Sequence, residues 1–305
     1  MTNHNLPNIF FISLFGEINN SNSRVYKIDK AFSARSTFVT PDFSHGEKKY
    51  KEKDNHEKNP LTTSVYLTVP SYSKNLSFRR IYSHLVFASK LKYYLNRLVE
   101  KPDIVICLMP TSSAAYVAGQ YCKNNNIMFV IDIIDIWPDS LIPLSRNKRL
   151  IKLLLLPWKT LTKKAYILAD YISGESKLYT STAHKINTNV PYTYTYLGVD
   201  KKQTDTLIAS STLSLIKAKD VINLCYAGSL GNSYDFNNIL NALKYIHFHG
   251  IKYKMYFIGE GEKRKDIEKF AKDNNLNVEI TGRLSYQNYL KYLSICDIGF
   301  NPFKK

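Results

Sequence analysis

Short apolar runs along this chain alternate with longer stretches in which apolar residues return every three or four positions. The first kind of segment predicts a buried strand and the second an amphipathic helix; their regular exchange is the rhythm of a parallel α/β protein. Residues 8–14 form the first predicted strand, and Gly16 opens the loop behind it. Residues 23–34 carry Val25, Ile28 and Phe32 at helical spacing, whereas 41–60 are polar and charge-dense and predict an exposed loop. A strand is expected at 64–69, then a long helix over 78–99 with Ile81, Leu85, Ala88, Leu91, Leu95 and Leu98 on its apolar stripe. Ile104–Met109 is an unbroken apolar strand of the kind buried on both faces. A helix over 111–124 begins with Ser and Thr residues suited to capping. A strand at 128–134 runs into Asp135-Ile136-Trp137-Pro138-Asp139-Ser140, and short strands at 171–173 and 192–197 close the series.

Residues 201–220 are polar, lack a clear strand and are expected to link two domains. A second βα series starts at 221–226 and continues with strands at Tyr253–Ile258, 278–281 and 298–301. The expected fold is α/β with two Rossmann-like domains, residues 1–200 and 221–305, facing a cleft.

Composition adds charge to this picture. Hydrophobic residues make up 44% of the 305 and charged residues 22%, a globular balance, yet the formal net charge is +17. Such a field attracts nucleic acid, anionic lipid or phosphorylated small molecules without choosing among them. Zinc spacing, an RNP-like string and helix-turn-helix spacing are all missing from the sequence, so nucleic acid is not an expected partner. The start of the chain lacks the basic opening and cleavage site of a signal peptide, and a cytoplasmic location is expected. Cys107, Cys122, Cys225 and Cys296 show no C-x-x-C spacing and are expected as small buried hydrophobes rather than metal ligands.

Three glycine-bearing loops follow successive strands of the second series: Gly228-Ser229-Leu230-Gly231-Asn232, Gly259-Glu260-Gly261 and Gly282-Arg283-Leu284. Loops after parallel strands share the carboxyl edge of the sheet, where such sheets bind ligands. The first loop precedes a helix near Tyr234, whose N-terminus would offer N–H groups to a phosphate; a tight turn without a ligand is the alternative. The second lacks the third glycine of a dinucleotide fingerprint, because position 264 is Arg.

Taken in order with Asp135-Ile136-Trp137-Pro138-Asp139-Ser140, Tyr196-Leu197-Gly198-Val199-Asp200, Tyr289–Leu293 and Cys296-Asp297-Ile298, these motifs resemble the retaining GT-B glycosyltransferases of family 4 that build capsule, O-antigen and exopolysaccharide. The resemblance covers nearly the whole chain. It implies transfer of a sugar from a nucleotide-diphosphate donor to a lipid-linked or glycan acceptor, with no bound metal or resident cofactor. It also implies that Gly228, Ser229, Leu230, Gly231 and Asn232 face the diphosphate, that Gly282, Arg283 and Leu284 border the base, and that Gly259, Glu260 and Gly261 shape the adjoining wall. On the acceptor side it points to Gly16, with Asp135 as the polar group near the reacting hydroxyl; a loop or N-cap carboxylate is the alternative for Asp135. Lys74, Asn75, Arg79 and Arg80 precede the long helix, and Asn75 and Arg79 are the expected acceptor contacts, although a solvated helix start explains them equally. His84, on the same helix, is expected as a surface or satisfied histidine.

The family's donor site also uses an E-x7-E segment after the strand at 298–301, and this sequence ends at Lys305. The second domain is therefore expected to be incomplete by roughly 70–100 residues, and a truncated relative that binds without transferring sugar is the alternative function. Residues 146–164 combine a leucine run and Trp158 with seven Lys or Arg residues, the make-up of a helix resting on an anionic membrane surface. A connecting helix packed on its own domain is the competing explanation, and Pro157 predicts a break either way.

Overall fold

The computed structural model describes residues 6–15, 23–51, 61–74, 77–144 and 147–303. The chain separates into two compact units, Met1–Gly198 and Val199–Lys305. In the first unit the strands are β1 (Asn8–Ile12), β2 (Arg35–Pro41), β3 (Phe43–Ser44), β4 (Lys49–Tyr50), β5 (Thr62–Leu67), β6 (Ile104–Met109), β7 (Met128–Ile133) and β8 (Tyr171–Gly174). Its helices are α1 (Arg24–Ala31), α2 (Phe78–Leu95), α3 (Ser112–Asn125), α4 (Lys148–Leu154), α5 (Leu156–Ile167) and α6 (Lys177–His184). Six strands form one parallel sheet in the order β5-β2-β1-β6-β7-β8, while β3 and β4 make a separate antiparallel pair.

Alternation along β1 fixes the two faces of this sheet. Phe10 and Ile12 pack with Phe87, Leu91 and Leu95 of α2 and Ala114, Ala115 and Ala118 of α3. Ile9 and Phe11 turn the other way, onto Val25 of α1 and Phe38. This period of two is what a strand covered on both faces requires.

The second unit holds α7 (Lys201–Ala209), β9 (Ile222–Ala227), α8 (Phe236–Phe248), β10 (Tyr253–Ile258), α9 (Arg264–Asp273), β11 (Val278–Gly282), α10 (Tyr286–Ser294) and β12 (Ile298–Gly299). Its parallel sheet runs β11-β10-β9-β12. In both sheets the order reverses beside the first strand, at β1/β6 and at β9/β12, which is the switch point where open α/β sheets place ligands. Leu224 and Tyr226 pack under α8 and α9, and Cys225, Tyr256 and Ile258 pack under α10.

Several expectations are corrected. Arg35–Pro41 is a full strand between β1 and β5, although only Phe38 and Val39 give it an apolar signature. Within the expected loop 41–60, Phe43 is buried and β3 pairs with β4. The expected strand at 192–197 is reduced to one bridge, Ile172 with Tyr192, although Thr193 and Thr195 N–H still reach the carbonyls of Ile172 and Gly174. In the segment expected to be a linker, α7 is capped by the Asp200 side chain on the Gln203 N–H (3.0 Å) and packs on α10. Thr111 stands at the N-cap of α3 but makes no side-chain cap, and its buried hydroxyl has no partner among the described residues. The break expected at Pro157 divides α4 from α5 at Leu155, with proline in the first turn of α5, where its missing N–H costs no hydrogen bond.

Candidate functional site

At the carboxyl edge of the second sheet, the loops after β9, β10 and β11 close on one another. Gly228 N–H donates to the Ile258 carbonyl and Leu230 N–H to the Glu260 carbonyl, both at 2.9 Å. Lys263 N–H returns to the Leu230 carbonyl at 2.9 Å, and Gly259 bridges Gly282. The approach leaves no room for side chains: a Cβ on Gly259 would lie 1.9 Å from the Gly228 carbonyl oxygen, and one on Gly261 2.4 Å from that of Leu230. Packing between loops therefore demands both glycines before any ligand is considered.

This zipper uses the N–H groups of Gly228 and Leu230. Among the described residues, those of Ser229 and Gly231 have no protein acceptor and remain for a ligand. Ser229 and Asn232 are exposed, and Asn232 donates to Glu262. Glu260 pairs with Arg264, which also holds Glu268 at 2.8 Å. Arg283 is exposed and has no ion pair with the described residues, while Leu284 is half-buried against Ile258 and Tyr289.

Two expectations change here. Leu230 is wholly buried in the core under β9 and β10, so only its backbone belongs to the edge. The helix expected near Tyr234 begins at Phe236, and Asp235 caps it, its carboxylate accepting the Asn238 N–H at 3.3 Å. A negative side chain thus occupies the end where a phosphate was expected, and the loop N–H groups become the better anion donors.

The carboxyl edge of the first sheet is built differently. Arg80 is buried with its guanidinium 4.1 Å from the centre of the Trp137 ring and 5.4 Å from that of Phe15. Desolvation pulls its pKa down, and Tyr72 and Asp135 act against that pull. His45 accepts or donates to the Tyr72 hydroxyl through Nδ1 at 2.7 Å. Burial first, then Arg80 and Lys48, lowers its pKa to about 4. A cavity of about 330 Å³ opens beside it, lined in part by Phe15, Ser44, His45 and Lys51.

His84 lies among Phe15, Trp137 and Trp158, with ring centres 5.8, 6.3 and 6.0 Å away. It is 2% exposed, and neither ring nitrogen has a hydrogen-bond partner among the described residues. Desolvation, followed by repulsion from Arg80 and His45, lowers its pKa to about 3, so it is neutral at pH 7. This corrects the expectation of a surface or satisfied histidine. The expected stripe of α2 also rotates at its start: Arg80 and His84 go inside, and Ile81 and Leu85 face water.

Of the acceptor-side residues expected from the sequence, Arg79 is exposed on α2, and its neighbour Arg80 occupies the cluster instead. Gly16 and Asn75 lie outside the described residues. Asp135 is half-buried beside Arg80, and Asp139 pairs with Lys159 at 2.9 Å. No local pattern in the chain marks the buried pair in which Arg24 makes a two-pronged bond to Asp132 at 2.7 and 2.8 Å. Arg24 also donates to the Thr195 carbonyl at 2.7 Å, so one buried cation ties α1, β7 and the segment after α6 together.

A cavity of about 520 Å³ at the opposite edge, near Lys123 and Met128, carries less chemistry. Its Asp170 is engaged with the Phe129 N–H and its Asn187 with the carbonyls of Tyr166 and Ala169. Among the described residues no group of three or more His, Cys, Asp or Glu could hold a metal ion.

No protein-family model and no curated protein sequence matches this chain. Solved structures do. Sucrose-phosphate synthase from Thermosynechococcus elongatus aligns with a TM-score of 0.67 at 13% identity, over 98% of this chain and 77% of that one. Anabaena HepE in complex with UDP gives 0.58 at 11% identity, over 96% and 73%. WaaG, a glycosyltransferase involved in lipopolysaccharide biosynthesis, gives 0.57 at 10% identity, over 97% and 75%. The chain has the GT-B fold. At these identities the likeness concerns the backbone alone; the glycine seam and the Arg80 cluster each lie at the carboxyl edge of their own sheet by the strand order of this chain.

Proposed function

We propose that this GT-B protein is a retaining glycosyltransferase that moves a sugar from a nucleotide-diphosphate donor to a lipid-linked or glycan acceptor in bacterial surface polysaccharide synthesis. The observation that carries this reading is the seam at which Gly228, Gly259 and Gly282 meet, leaving the Ser229 and Gly231 N–H groups without acceptors among the described residues. HepE, which shares the fold, has been solved in complex with UDP.

In the proposed reaction the bond from the sugar's anomeric carbon to the diphosphate breaks and one to the acceptor oxygen forms on the same face. The departing diphosphate gathers negative charge. Donors fixed before the reaction stabilise that charge without having to reorganise. The Ser229 and Gly231 N–H groups suit this task. Gly282, Arg283 and Leu284 would border the base, with Gly259, Glu260 and Gly261 as the adjoining wall, and Asn232 beside the phosphates. Asp135 would receive or orient the acceptor hydroxyl proton, and Gly16 and Asn75 remain proposed acceptor contacts. Arg80 takes over the part first given to Arg79, because it is the cation beside Asp135. No metal or resident cofactor is required, and the reaction is placed at the cytoplasmic side of the membrane.

Isothermal titration of the full chain with UDP and GDP tests the reading. Saturable binding of one of them, weakened by Arg283→Ala, is the expected result; no heat for either would remove the donor site. Nucleotide binding without turnover of any nucleotide sugar would leave a binding protein rather than a transferase.

A further inference from the structure

The start of α2 is turned inside out. Its polar Arg80 and His84 are buried, while Phe78, Ile81, Tyr82 and Leu85 are between 38% and 91% exposed. Their spacing of three, four and seven residues puts these four on a single stripe, distinct from the buried one that Ala88, Leu91 and Leu95 continue. Folding of the first unit does not use this stripe.

A second unused apolar surface lies on α4. None of its residues is buried; Leu150, Leu153 and Leu154, with Leu156 at the start of α5, are 52% to 65% exposed. The two surfaces lie on neighbouring helices of the first unit. His84 of α2 and Trp158 of α5 stand 6.0 Å apart, and α3 packs against both helices.

Charge identifies what could cover them. The chain has 25 Asp and Glu, yet none falls between residues 58 and 99 or between 140 and 169. Around the leucines, Lys148, Arg149, Lys152, Lys163 and Lys164 are all exposed. Nucleic acid would engage these cations but would leave the leucines in water. An anionic bilayer satisfies both, taking apolar side chains into the acyl boundary and cations among its head groups. No helix among the described residues is long and apolar enough to cross a membrane, which suits a surface that lies on one.

We propose that the N-terminal half of α2 and the α4–α5 corner form one docking surface for an anionic lipid bilayer. The sequence pointed only to residues 146–164; the structure adds the α2 stripe and joins it to the Arg80–Asp135 cluster through His84 and Trp158. This deepens the reading above by placing the acceptor edge beside the membrane that would carry a lipid-linked acceptor. The surface itself stands on exposure and charge.

The test is flotation of the full chain with vesicles of phosphatidylcholine alone or mixed with phosphatidylglycerol. Binding is expected only with the anionic lipid. Leu153→Glu/Leu154→Glu and Ile81→Glu/Leu85→Glu should each reduce it about tenfold or more. Lys148→Gln/Lys152→Gln should reduce it about tenfold. All these side chains are exposed, so the variants should melt as the parent does. Equal flotation with phosphatidylcholine alone, or binding indifferent to all three variants, would overturn the proposal. So would light scattering that shows self-association through the leucines without vesicle binding, or retention on RNA that the leucine variants leave intact. UDP titration of the same proteins keeps the outcomes apart: vesicle binding without UDP binding would sink the donor reading alone, and the reverse would sink this surface alone.

Discussion

Two sheets with the same reversal of strand order carry carboxyl edges made of different materials. In the second unit the edge is backbone: glycine loops touch through main-chain hydrogen bonds at 2.9 Å, and the critical property is that Gly259 and Gly261 have no side chain. In the first unit the edge is side chain: Arg80 over Trp137, His84 among three aromatic rings, His45 on Tyr72, and a buried Arg24–Asp132 pair beneath. A backbone edge offers N–H groups that any phosphate can use, so it suits an invariant diphosphate. A side-chain edge varies with sequence, so it suits whatever acceptor differs between proteins of one fold.

Substitution at the backbone edge should have the largest effect. Gly259→Ala puts a methyl group 1.9 Å from a carbonyl oxygen that cannot move without opening the seam. A loss of about 4 kcal/mol or more in the second unit, with loss of UDP binding, is expected, and calorimetric melting with titration checks both. A variant that melts and binds like the parent would show that the seam is not rigid. At the other edge, Asp132→Asn leaves the Arg24 guanidinium buried without its counter-charge, at a cost of about 3–5 kcal/mol. Urea unfolding followed in the first unit measures it. Asp132→Asn with Arg24→Met should recover part of the loss, because the orphaned cation is gone.

The same contrast explains how much the sequence could reveal. Glycines behind apolar strands are local signals, and the three loops were visible because each sits directly after Ile222–Ala227, Tyr253–Ile258 or Val278–Gly282. The Arg24–Asp132 pair joins residues 108 positions apart, and no local pattern encodes it. Helical spacing in α2 showed that a face existed but not which face meets the sheet, so Ile81 and Leu85 were placed inside where Arg80 and His84 are found. β2 carries little apolar signal because its burial comes from Ser36 and Thr40 as well as Phe38 and Val39. Polar α7 owes its helix to the Asp200 cap and to contact with α10, neither of which raises a hydrophobic signal.

Acid should separate the two edges next. His84 has its pKa lowered by burial to about 3, against about 6.5 in an unfolded chain, so between these values the unfolded state binds the extra proton. Stability of the first unit is then full above pH 6.5 and falls as pH drops, by at most about 1.4 kcal/mol per unit, or about 2 kcal/mol at pH 5. His45 titrates in the same direction with a smaller, solvent-screened share, while Arg80 stays charged throughout and Asp135 faces the same cluster. His84→Phe removes two unpartnered nitrogens and should flatten the acid limb in melts taken from pH 7 to 5. An unchanged limb would mean that His84 is not the group protonated on unfolding.

The smallest effect asks where on the backbone edge an anion would sit. Asp235 caps α8 with a carboxylate that accepts the Asn238 N–H and also the Asn238 side-chain amide at 2.9 Å. Asp235→Asn preserves an oxygen acceptor at the cap and removes only the charge, at a cost of about 0.5 kcal/mol from the lost interaction with the helix dipole. A diphosphate lying at the α8 N-terminus would be relieved of a like charge beside it, and UDP would bind about threefold or more tighter at low salt. A diphosphate held by the Ser229 and Gly231 N–H groups would be farther along the loop and screened, with UDP affinity changed by less than about twofold. The second outcome is expected, because Asp235 already fills the helix end while those two N–H groups have no acceptor among the described residues.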